Sequence, residues 1–167
     1  MVDIATAFNY SSTFIVQQAF LEGRWKKGVL TIGSKEYPME LKNQSLSTGS
    51  QTLGINARPV PQVRVALQDY WTLPFANGWM AIKGHVAFGM TTDQGWQKEF
   101  THLKSRYTES ALYHSKAGYL RIADTKKKRP LSLTLGLEMA AQFGGTTYIF
   151  DQYGKMLVLE NDKGIDA

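Results

Sequence analysis

The chain has 167 residues, a formal net charge of +5, 43% hydrophobic residues, 15 Gly, 8 Tyr, 8 Phe, 4 Trp and no cysteine. That length suffices for one domain with a sizeable core, and the missing cysteine excludes a disulfide framework and a thiolate metal site. No stretch approaches the roughly 18 apolar residues of a membrane-spanning helix, so any membrane role falls to a β-barrel or to the surface.

Residues 3–10 alternate Ile4, Thr6, Phe8 and Tyr10 with smaller residues and read as a first strand. Residues 13–21 and 28–35 read as a hairpin joined by a six-residue polar turn, 22–27, that contains Gly23. Residues 37–50 form a long polar connection, with a sequon at Asn43 that is too common a pattern to carry meaning. Pro59 and Pro61 interrupt the next extended segment and mark an edge, a bulge or a bend, because proline donates nothing to a ladder. Beyond them Val63, Val65 and Leu67 alternate with Arg64, Ala66 and Gln68.

Residues 69–78 are an aromatic-rich connection, followed by a strand over 79–90. Its two faces are Met80, Ile82, Val86, Phe88 and Met90 against Ala81, Lys83, His85, Ala87 and Gly89. In the long connection 91–110, Phe100, Leu103 and Tyr107 recur at helical spacing and predict a short helix. The strand over 111–123 falters near Gly118. A bulge there places His114, Lys116 and Arg121 on one face and Leu120 and Ile122 on the other. Lys126-Lys127-Lys128-Arg129, with no interleaved aromatic, reads as a solvated turn and not a nucleic-acid patch.

The clearest strand is residues 131–139. Leu131, Leu133, Leu135, Leu137 and Met139 alternate with Ser132, Thr134, Gly136 and Glu138, giving one wholly apolar and one polar face. Such a strand belongs either to a soluble sandwich or lipocalin-like binder, or to a membrane barrel whose outer face meets lipid. The tail, around Tyr148 to Phe150 and Leu157 to Leu159, holds enough apolar residues for one further strand. The expected fold is therefore all-β and antiparallel, with about seven or eight strands in one domain. Several strands are ten residues or longer, nearer the 9–11 of a tilted membrane strand than the five or six usual in soluble domains.

Little points to catalysis. His85, His102 and His114 sit on separate elements without metal-ligand spacing, and no nucleophile elbow or phosphate loop occurs. Asp69, Glu138 and Asp151 show no spacing that pairs them as a glycosidase requires. No enzyme activity, metal or cofactor is expected. Sugar binding has a physical basis: rings stack on aromatics, and hydroxyls and carboxylates take hydrogen bonds from Arg, Lys and Asn. Tyr70, Trp71, Trp79 and Trp96 fall at strand ends or in connections, close in sequence to Arg64, Lys83 and Asn77. They serve either as sugar-stacking groups or as the interfacial belt of a barrel. Strand parity places 37–50 and 91–110 at one end, which leaves Tyr70 and Trp71 at the other.

Several segments, in order over about 28–146, resemble the capsule assembly Wzi family of Gram-negative outer membranes in its Bacteroides-type form. They are Ser47-Thr48-Gly49-Ser50, Asn56-Ala57-Arg58-Pro59-Val60-Pro61-Gln62-Val63, Trp79 to Gly89, Tyr113-His114-Ser115-Lys116 through Ile122, and Leu135-Gly136-Leu137-Glu138 through Gln142-Phe143-Gly144-Gly145. The resemblance implies a transmembrane β-barrel of about eighteen strands that is monomeric at full length. It implies a lectin-like surface holding capsular polysaccharide, an acidic polymer, against the cell. Of the motif residues, Arg58, His114, Lys116 and Arg121 form either a basic lumen or rim or an ion-pair network with Glu138; Arg64, Lys83 and His85 are further lumen candidates. The chain starts without a signal sequence and ends Gly164-Ile165-Asp166-Ala167 without an aromatic terminus, so an internal segment truncated at both ends is expected. The alternative is a complete eight-stranded outer-membrane barrel with a structural or adhesive role.

Overall fold

The structure, a computed structural model, describes residues 1–6, 14–38, 40, 45–46, 58–92, 95–101, 105–124, 130–150 and 155–160. Asn43, motif residues 47–50 and 56–57, His102, Leu103, the run 126–129 and Asp151 lie outside the described residues. Among the described residues, ten strands and an α-helix follow in order: β1 Val2–Thr6, β2 Phe14–Trp25, β3 Gly28–Ser34, β4 Gln62–Thr72, β5 Met80–Met90, α1 Trp96–Thr101, β6 Tyr107–Glu109, β7 Leu112–Ala123, β8 Ser132–Phe143, β9 Thr146–Phe150 and β10 Met156–Glu160. Seven form one antiparallel sheet in the order β1-β2-β3-β4-β5-β7-β8. This is an all-β fold, a barrel-like wall with two edges and no closure among the described residues.

Strand direction alternates, so the connections sort by length. The two-residue turn Lys26-Lys27, the turn 73–79 around a 3-10 segment at Pro74–Ala76, and the connection 124–131 lie at one end. The long connections 35–61 and 91–111 start and end at the other, as parity requires. Capping that second end is a small sheet, β10-β9-β6. Tyr107 is buried there and stacks on Tyr148 with ring centroids 4.8 Å apart, while the Thr108 and Thr147 hydroxyls meet at 3.0 Å. Gly144 and Gly145 adopt φ of 65° and 84° and turn the chain out of the main sheet. The tail thus forms a separate hairpin instead of one more strand of the wall.

Four expectations are corrected. The polar stretch 22–25 continues β2, because Glu22 reaches across the pairing to Lys35 and hydrogen-bonds Arg24. Tyr70 and Trp71 belong to β4: Trp71 pairs with Ile82, and Tyr70 packs under Arg121. The predicted short helix is present in the connection and contains Phe100, on which Trp96 stacks at 5.0 Å, but it ends at Thr101, and Tyr107 sits in β6. Finally, β7 keeps unbroken register with β5 and β8 through Gly118, and the irregularity falls in β4 between Leu67 and Trp71. With no bulge in β7, His114 and Lys116 share a face with Leu120 and Ile122, and Arg121 points to the opposite one.

Close strand approach explains one glycine. A Cβ on Gly84 lies 2.3 Å from the Ala117 carbonyl oxygen, a main-chain atom that cannot swing away, whereas nothing lies within 4 Å of a Cβ on Gly118. Gly84→Val is expected to lower unfolding free energy by about 1–3 kcal/mol. Gly118→Val is expected to change it by under about 0.5 kcal/mol. Guanidinium titration of both variants compares them directly.

The two faces of the wall differ sharply. Register rows such as Ile32-Val63-Phe88 and Leu30-Val65-Val86 carry apolar side chains on one face. Leu131, Leu133, Leu135, Leu137 and Met139 are 85, 53, 53, 67 and 50% exposed, so no described part of the chain seals them. On the opposite face lie Thr31, Ala66, Ala87, Ser115, Ala117 and Tyr119, all buried. Among the described residues the buried apolar set is Val29, Ala66, Ala81, Ala87, Tyr107, Ala111, Ala117 and Tyr119, with no Leu, Ile, Met, Phe or Trp in it. The polarity is inverted relative to a water-soluble domain, where those five types fill the interior.

Candidate functional site

The polar face carries a cavity of about 470 Å³. Its floor comes from alternate residues of four neighbouring strands: Gln62 and Arg64 of β4, Lys83 and His85 of β5, Tyr113, Ser115 and Tyr119 of β7, and Glu138 and Gln142 of β8. Period-two alternation across aligned register rows brings these side chains together. Its cover is the start of the β3–β4 connection, which folds back over the sheet: Lys35, Glu36, Tyr37, Pro38 and Glu40, with Arg58, Pro59 and Val60 from its far end. This connection is more than a surface loop, since its Glu40 pairs with Lys83 at 2.6 Å and its Glu36 amide donates to Gln18 Oε1 at 3.0 Å.

The interactions are mostly polar. Glu22 holds both Lys35 and Arg24, and the Thr31 hydroxyl donates to it at 3.4 Å. Tyr119 donates its hydroxyl to Glu138. His85 Nε2 lies 3.3 Å from Ser115 Oγ. Cations also pack on rings: Lys35 over Phe20 and Tyr37, Arg64 over Tyr37 at 3.9 Å, and Arg121 over Tyr70 at 3.5 Å. Such contacts contribute about 0.5–2 kcal/mol each, more as water is excluded. They tie the covering segment to the sheet.

Of the residues singled out from sequence, Arg58, Arg64, Lys83, His85 and Glu138 line this cavity. Arg58 also donates to the Thr92 carbonyl at 2.8 Å, joining the two long connections. Arg121 and Tyr70 pair with each other on the same face. His114 and Lys116 are corrected: they lie on the apolar face, His114 between Phe88 and Phe143 with centroids at 5.9 and 5.7 Å, and Lys116 exposed beside Val86 and Met139. Neither belongs to a lumen network with Glu138. Trp71 and Trp79 lie at the short-turn end, as do Trp25 and Phe75, all exposed, and Trp96 lies at the other end.

Sequence reading missed Glu22, Lys35, Tyr37, Glu40, Gln62, Tyr113 and Tyr119. For Gln62, Tyr113 and Tyr119 a signal existed, because each falls in phase with His85 or Arg64 once register is known. For Tyr37 and Glu40, in an irregular connection, none did. Among the described residues no group of three or more His, Asp or Glu is placed to hold a metal ion. Among them, too, no helix is long and apolar enough to cross a membrane, which says nothing of strands.

Fold and site together define a class: an open antiparallel wall with an exposed apolar face and a polar face that encloses a charged cavity. No family model, curated protein or solved structure matches the chain.

Proposed function

We propose that this chain is a wall segment of a non-enzymatic outer-membrane β-barrel of capsule assembly, which holds acidic capsular polysaccharide at the cell surface of a Gram-negative bacterium. The observation that carries the membrane part is the inverted polarity: large apolar side chains outward, small and polar ones inward. Burying a Leu, Ile, Val or Phe side chain is worth about 1.5–3 kcal/mol, so a water-exposed face of this extent forfeits tens of kcal/mol. Hydrocarbon is the cover that fits its dimensions. From Met80 to Met90, β5 makes ten steps of about 3.3 Å. A tilt of about 40° converts that length of about 33 Å into a height of about 25 Å, the height of a barrel's apolar band. Trp25, Trp71, Phe75 and Trp79 at the short-turn end supply one interfacial girdle.

The capsule part draws on the motif resemblance and on a cavity that sets Arg and Lys beside hydroxyl, amide and carboxylate groups, a mixed donor and acceptor set of the kind that hydrogen-bonds sugars. Its test is deletion of the coding region from an encapsulated Gram-negative cell that carries it. Capsular polysaccharide is expected to appear in the medium and to be lost from the cells. Capsule that stays on deleted cells overturns the polysaccharide role, and a full chain that is monodisperse without detergent overturns the membrane reading.

A further inference from the structure

One charge stands on the apolar face of the wall. Lys116 projects there from β7, exposed, with Val86 and Met139 as its register partners. Among the described residues it makes no ion pair, hydrogen bond or ring contact. The main-sheet strands from β3 to β8 hold two carboxylates, Asp69 and Glu138, and both line the cavity on the opposite face. A cation facing hydrocarbon is unfavourable unless an anion meets it. The complementary charge is therefore one that the described chain does not supply.

The height of Lys116 on the wall says where that anion lies. It is four residues from Leu112, where β7 begins at the long-connection end, and seven from Ala123 at the other. At about 3.3 Å per residue and a tilt of about 40°, these are heights of about 10 Å and about 18 Å. The apolar band of a barrel is about 25 Å tall, a little shorter than this strand, so the nearer headgroups are within reach of a four-carbon stem. His114 stands two residues closer to that end on the same face, its ring held between Phe88 and Phe143 with centroids at 5.9 and 5.7 Å. Ammonium and imidazole thus form one column of donors that leads to the hydrocarbon boundary.

We propose that Lys116 and His114 form a docking site for the phosphate of an anionic lipid in the leaflet at the long-connection end. Lys116 supplies the charge, and the His114 ring donates an N–H to a second phosphate oxygen. The acyl chains lie along the apolar rows, where Gly84 pairs with Gly118 and leaves a shallow dent one row from the lysine. A lipid fits better than a free anion, because the approach to Lys116 runs over exposed apolar side chains that a hydrocarbon tail covers. A zwitterionic lipid fits less well, since its own ammonium already offsets its phosphate. The site rests on the membrane reading of this face and adds the class of lipid that the face selects.

The test is native mass spectrometry of the full chain, released from detergent micelles doped with phosphatidic acid or with phosphatidylcholine. One phosphatidic acid is expected to bind about tenfold more tightly than phosphatidylcholine. Lys116→Leu is expected to abolish that preference, Lys116→Arg to retain it, and His114→Phe, which keeps a ring between Phe88 and Phe143, to weaken it by roughly threefold. Lys26→Leu, which removes the same charge from the turn at the other end, is expected to leave it unchanged. Circular dichroism confirms that each variant keeps its sheet. Equal preference in wild type and Lys116→Leu overturns the site, as does an equal loss in Lys26→Leu, the signature of bulk charge. Displacement of the phosphatidic acid by inorganic phosphate at equal concentration overturns a lipid as the ligand. A chain that inserts into phosphatidylcholine vesicles yet shows no preference overturns the site and leaves the membrane assignment standing, whereas a chain monodisperse without detergent removes both.

Discussion

Leu137→Arg is expected to lower the unfolding free energy of the chain, folded in phosphatidylcholine vesicles, by about 2–4 kcal/mol. Leu137 pairs with Gly118, which pairs with Gly84, so it lies in the middle rows of the apolar face, and it is 67% exposed. If hydrocarbon covers that face, a guanidinium there is carried near the bilayer midplane, where the cost is greatest. If water covers it, an exposed Leu→Arg change falls within about 0.5 kcal/mol of neutral and raises solubility. Denaturant titration in vesicles separates the two outcomes by more than the error of extrapolation. A neutral result removes hydrocarbon as the cover.

Lys116→Leu is expected to act in the opposite direction. Lys116 carries the one charge on the apolar face among the described residues of β3 to β8, and its register partners are Val86 and Met139. That row is near mid-height of the band, and the lysine lowers its cost by stretching its stem toward the nearer headgroups. Replacing it with leucine is expected to stabilise the vesicle-embedded chain by about 2 kcal/mol, below the full midplane penalty because of that relief. Measured in the same titration, a loss of stability instead of a gain means that Lys116 meets an acidic partner, and the face is then a protein interface. Together the two substitutions read the dielectric of one surface from both signs.

Much of the wall was legible in the sequence because period-two patterning is local. The faces of residues 79–90 and 131–139 follow from side-chain identities alone, and the structure keeps both as read. The proline pair was equally informative: β4 begins just after Pro61, whose carbonyl accepts the Met90 amide at 3.2 Å. Patterning failed at β7, where the faltering alternation reads as a bulge at Gly118 and puts His114 and Lys116 on the face of Arg121. Hydrogen-bond register with two neighbours overrides the preference of one side chain, so the strand runs straight and the lysine stays outside. Patterning also cut β2 and β4 short, since charged and aromatic residues at strand ends look like turns until their partners are seen.

What the sequence determined by itself, then, was the existence of long amphipathic strands and the side of each strand that is greasy, because alternation needs no knowledge of neighbours. Only the tertiary structure decided that the greasy side faces outward and that Lys35 to Pro38 and Glu40, after β3, fold in over the polar side. Those outcomes depend on which strands pair and on long-range contacts, such as Glu40 with Lys83 and Tyr37 with Arg64, that join residues far apart along the chain.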